Sequence, residues 1–173
     1  MSISLYDASV GSYLQTVKAV SNILQQAEQA AADGLFDINE TLDFRLREDM
    51  LPLSFQIISV WHHSMGALEG MKAGLFEPPP KINDITWEKM SELLSEAHAY
   101  LASQDRDSIN ALAGRDLMFR AGKLQIPFTS ESFLMSFSLP NVHFHATTTY
   151  VILRHLGVPV GKLDFLGDMR TSL

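Results

Sequence analysis

The amino-acid sequence predicts an all-α protein, a four-helix bundle with a small β-hairpin between its third and fourth helices. Three observations predict it. Four long segments repeat apolar residues at steps of three and four, the spacing of one helix face. Between the third and fourth of these, a short stretch alternates at period two instead. Hydrophobic residues make up 46% and charged ones 19% of the 173 residues, enough apolar material for one full core and too much for a disordered chain.

The first helix is expected from about Ser4 to Ala32, with Tyr13, Leu14, Val17, Val20, Ile23, Leu24 and Ala27 on its apolar face and Gly34 ending it. The second begins near Pro52, a residue suited to a first helical turn, and ends at Gly74. Pro78 to Pro80 stiffen the loop that follows. This loop is long enough for a crossover in place of simple up-and-down connectivity. The third helix opens around Asp84 or Thr86 and carries Leu93, Leu94, Ala97 and Leu101. Arg115 to Phe128 then read as the hairpin, turning at Ala121-Gly122 and lying across an end of the bundle. The fourth helix starts after Thr129, with Ser130 and Glu131 in its first turn, and stops at Gly157 and Pro159. Pro140 inside it predicts a kink near Leu139 or a helix that really starts there. With no linker, repeat or low-complexity tract, residues 1–173 are expected to form a single domain.

The composition excludes several function classes. There are no cysteines, so disulfides, thiolate ligands and cysteine nucleophiles are absent together. A net charge of -7 without a basic patch makes nucleic acid an unsuitable partner. No apolar run is long enough to span a bilayer, and the stretch from Met1 to Asp7 lacks the features of a secretory signal. A cytoplasmic protein without membrane partners is therefore expected. No nucleophile elbow, phosphate-cradling glycine loop or zincin motif occurs.

Chemistry must then come from the six histidines and their neighbours. On the second helix Gln56, Ser59, His63, Gly66 and Gly70 form a narrow strip of polar or small residues between two apolar stripes. Gln56 and His63 lie two turns apart on one line. Helix-interior glycines beside a histidine call for a packing or a functional explanation. On the fourth helix Asn141 and His145, four apart, share a face with Thr148, which also suits ordinary back-bonding to the preceding turn. His62 falls in a packing stripe, His98 is read as solvated, and His143 projects away from His145. His155 suits the negative end of its helix. Gln56, His63, Asn141 and His145 thus form either part of a site, such as a pocket for a small polar ligand lined by Gln56 and Thr148, or a hydrogen-bonded cluster that sets helix register.

Motifs along nearly the whole chain carry a family resemblance. They are Ser4 to Ser9 (SLYDAS), Asp49 to Leu53 (DMLPL) with Gln56, and His63 with Gly66. Leu139 to His145 (LPNVHFH), Tyr150, Ile152 to Arg154, Gly157 to Pro159 and Gly161 to Gly167 (GKLDFLG) follow in order. The chain resembles the DinB-like four-helix-bundle superfamily, and within it a branch of bacterial proteins classed as a domain of unknown function. The resemblance implies a site of one histidine from the second helix and an HxxxH pair from the fourth, which would hold zinc or nickel. His63 matches the first and His145 the second member of the pair. Asn141 stands where the pair's first histidine belongs, and its amide oxygen is a poorer donor to such metals.

The resemblance implies a metal-dependent enzyme of the thiol-transferase or hydrolase type. The alternative is a non-catalytic module that binds a small molecule, or a structural module that acts through dimerisation. For a homodimer, Phe36, Leu75, Phe76, Phe165 and Leu166 are candidate contacts. Packing of these residues back onto the bundle is the simpler expectation.

Overall fold

The computed structural model describes residues 3–171; Met1 and Ser2, part of the expected N-terminal reading, and the last two residues of the expected domain lie outside the described residues. Four long helical segments and a three-stranded sheet build the fold. The first segment is interrupted near its start. Helix α1 (Leu5–Ala8) is capped by Ser4, and Ser9 leaves helical geometry before α2 (Val10–Ala32) resumes. The second segment comprises α4 (Leu53–Trp61), a π-helical turn His62–Gly66 and α5 (Ala67–Ala73). It follows the short helix α3 (Ile38–Thr41). The third is α6 (Trp87–Ala102), capped by the Thr86 side chain and followed by the short α7 (Arg106–Asn110). The fourth comprises α8 (Ser130–Phe133), a second π turn Leu134–Ser138 and α9 (Leu139–His155), with α10 (Lys162–Leu166) beyond it.

The expected helix ends are found. Gly34, Gly74 and Gly157 take positive φ after their helices, as a glycine past the last turn does. Thr129 caps α8 in a reciprocal capping box with Ser132. The expected kink near Leu139 takes the form of the π turn. Leu139 N–H reaches back five residues to the Leu134 carbonyl, and Pro140, with no N–H to give, follows in the first turn of α9.

The long connection after the second segment is the crossover its length permits: Lys72, near the end of that segment, meets Tyr100 and Gln104 at the end of the third, so these two segments run parallel. α4 packs against α9 and α6, and α2 packs against α6 and α9. The second and third segments are thus neighbours, while the steps from first to second and from third to fourth span the diagonal.

The hairpin pairs β2 (Asp116–Ala121) with β3 (Leu124–Thr129) around Gly122, and β1 (Leu75–Phe76) joins β2 in parallel as a third strand. One face of this sheet closes an end of the bundle with aromatic rings. Phe76, Phe119, Phe128, Phe133 and Phe137 contact one another at centroid separations from 4.8 to 6.2 Å. Offset and edge-on rings at such distances add to the burial of their area. The other apolar ends also fold back. Phe36 and Phe165 pack against the core, Phe165 meets Tyr150, and Gln15 donates to the Leu166 carbonyl. Among the described residues no helix is long and apolar enough to cross a membrane.

Phe133 is fully buried at the centre of the aromatic cap. Phe133→Ala is expected to lower unfolding stability by about 3–5 kcal/mol. Leu163→Ala, at a side chain 75% exposed, should stay within about 0.5 kcal/mol of the parent. Urea denaturation measures both, and equal losses would contradict this placement of the core.

Candidate functional site

The candidate site lies where α4 and the first π turn face α9. His63 and His145 meet there with their rings nearly parallel, 16° apart in tilt and 5.9 Å between centroids. Gln56 reaches the same point from two turns earlier on the second helix. Its Nε2 donates to the Leu51 carbonyl at 2.9 Å, so its Oε1 faces His145 Nδ1 at 2.7 Å. A carbonyl only accepts, and this fixes the orientation of the amide. The His145 proton is therefore on Nδ1, and its Nε2 carries the free lone pair.

Apolar surroundings desolvate both rings. His63 lies against Phe76 and Phe137, and His145 against Phe55 and the exposed Phe144. Burial, aided by repulsion from His62 and His145, lowers the His63 imidazole to about 3. Burial alone lowers His145 to about 4. Both rings are thus neutral at ordinary pH. No carboxylate is among the causes acting on either ring. His63 Nδ1 is buried without a hydrogen-bond partner, a state that costs about 1–3 kcal/mol when nothing satisfies it.

Two further residues of the expected site turn towards their own helix. Asn141 Nδ2 donates to the Phe137 carbonyl at 2.7 Å, which leaves Oδ1 as its open atom. Thr148 Oγ1 donates to the Phe144 carbonyl at 2.8 Å. Among the described residues no group of three His, Cys, Asp or Glu side chains is placed to hold a metal ion.

The remaining histidines have other surroundings. His62 donates from Nε2 to the Glu77 carbonyl at 2.7 Å and stacks on Phe76 at 4.6 Å. It also explains Gly66, because a Cβ there would lie 2.9 Å from His62 Nδ1. Gly70 admits Phe76 and the Leu75 carbonyl in the same way. Packing thus accounts for both helix-interior glycines. His98, His143 and His155 are exposed, and His155 lies against Phe44 in the last turn of α9.

Sequence reasoning missed two buried hydroxyls beneath the pair. Ser138 Oγ donates to the His63 carbonyl at 2.8 Å, and Tyr13 OH lies 2.7 Å from Ser138 Oγ. Ser138 stands two residues before Pro140, the one sign that this turn is irregular; Tyr13 reads only as part of an apolar stripe.

The depressed imidazoles make a pH prediction. The unfolded chain binds protons near pH 6.5 that folded His63 refuses until about 3. Its contribution to stability is therefore complete above about 6.5 and is lost as pH falls below it. Between pH 7 and 5 that loss is on the order of 2 kcal/mol for His63 alone. Urea unfolding of metal-free protein at both pH values should show the loss, and His63→Leu should remove it. An identical pH dependence in that variant would count against a buried neutral His63.

Comparison with known proteins agrees with this fold. A family model described as Domain of unknown function (DUF1993) matches residues 5–166. A crystal structure of a DinB family member from Shewanella denitrificans superposes with a TM-score of 0.80 at 26% identity. The match covers 98% of this chain and 95% of that one. No curated protein matches. The chain has the DinB-like helical fold and belongs to the family described as Domain of unknown function (DUF1993).

Proposed function

We propose that the His63–His145 pair is the working centre of this protein and that it holds a divalent metal, zinc or nickel, with the Asn141 amide oxygen as a third and weaker ligand. The observation that carries this reading is the Gln56–His145 hydrogen bond, which puts the proton on Nδ1 and leaves the Nε2 lone pair beside a second neutral imidazole. Metal-bound histidines are oriented by a partner on the other ring nitrogen in this manner. Two imidazoles on one tetrahedral ion have centroids roughly 5 Å apart, close to the 5.9 Å found here. Low proton affinity suits metal ligation, because the ring need not be deprotonated first.

A metal so held would supply Lewis acidity for thiol transfer or hydrolysis. The protein's own part is to keep the rings neutral, orient His145 through Gln56, and flank it with Phe55 and Phe144. A second reading is favoured by Asn141, whose amide is held by the Phe137 carbonyl. In that reading the site accepts a small polar ligand without metal and catalyses nothing.

Metal content of untagged protein, incubated with zinc or nickel and measured by plasma mass spectrometry, separates the two. Near-stoichiometric metal that is lost in His145→Ala is expected. Gln56→Ala should weaken metal affinity by about 10–100-fold. No bound metal even in excess would reject the first reading and leave the second.

A further inference from the structure

Ser138 takes no part in either reading of the histidine pair, yet its hydroxyl connects the two π turns. It is the last residue of the second turn, is fully buried, and donates to the carbonyl of His63 inside the first. The carbonyl can only accept, so the Ser138 proton is committed to it, and Tyr13 OH acts as donor to Ser138 Oγ. Tyr13 is itself fully buried on α2.

A regular helix would pair the His63 carbonyl with the N–H of Ala67. Here Ala67 N–H is directed at the carbonyls of His62 and Ser64 instead. The widened turn thus removes the usual donor from the residue that carries the site's ring. A hydroxyl from the facing helix takes its place.

We infer that Ser138, oriented by Tyr13, is a positioning residue for His63, holding the π turn in the register that presents the imidazole to His145. Without the Ser138 hydroxyl the turn is free to relax towards α geometry. One residue of register is about 100° of rotation around a helix, enough to carry the His63 ring away from His145. An ordinary buried hydrogen bond would behave differently, because its loss would lower stability and leave the ring in place.

The inference rests on His63 being a working group of the proposed site. Its test is made on the metal-free full chain, so a failure to bind metal leaves it standing. Nuclear Overhauser contacts between the His63 and His145 ring protons are measured at pH 7 beside the melting temperature. Ser138→Ala should lose these contacts, while Ser138→Thr, which keeps a hydroxyl, should retain them. Ile109→Ala, a core truncation on α7, which packs against α1, should lose stability and keep the contacts. Contacts unchanged in Ser138→Ala, or lost equally in Ile109→Ala, would overturn the inference. If Ser138→Ala fails to fold, Tyr13→Phe replaces it, with weakened contacts expected and parental intensity overturning the proposal.

Discussion

Much of this structure depends on the hydrogen bond from Ser138 to the His63 carbonyl. A π turn carries more residues than the helix period accommodates, and it leaves carbonyls without their regular partners. Two such turns sit side by side here, one on each of the two helical segments that carry the candidate site. Ser138 satisfies one of the displaced carbonyls from across the interface, and Ser64 bonds back to Val60 and Trp61 within its own helix. The aromatic cap, with Phe133 and Phe137 in and beside the second turn, excludes water from the same region. An irregular backbone is tolerated because its polar groups are answered and its apolar rings are packed.

The fold was legible wherever a local residue type has a local physical task. Gly34, Gly74 and Gly157 end helices because glycine alone enters positive φ freely, and Thr86 and Thr129 start them because a hydroxyl satisfies an orphan N–H. The π turns were not legible as such. Periodicity is averaged over several turns, so one extra residue shifts the pattern too little to show. Pro140 was a sign of irregularity, yet a kink, a break and a π turn meet its missing N–H equally well. The crossover was legible in the length of the loop after the second helix, but the diagonal placement of the other two steps was hidden, since loop length does not say which helices pack together. β1 is two residues long and exists only because β2 is there to pair with it.

The site was half legible for a similar reason. Gln56, His63 and His145 were found by helical register, and the structure brings these three together. Asn141 and Thr148 were found by the same register, but each donates to a carbonyl four residues earlier. Short polar side chains on a helix always have that nearby alternative, and face assignment alone does not decide between it and a neighbour. The glycines misled in a related way. Gly66 shares a strip with His63, yet the ring it makes room for is that of His62, because a helical residue adjoins both the third and the fourth residue before it.

The electrostatics also limit what the pair can do. A general base works best when its proton affinity lies near the working pH. Imidazoles held near 3 and 4 are weak bases there, and no carboxylate acts on either to strengthen it. At ordinary pH they are neutral donors of lone pairs in a partly dry place. In the proposed function they would hold a metal or a small polar ligand and would not abstract a proton directly. It also explains why Gln56 suits the position better than a glutamate would. An amide fixes the tautomer of His145 as a carboxylate does, but it adds no charge that would raise the proton affinity of the ring and invite protonation in place of the ligand.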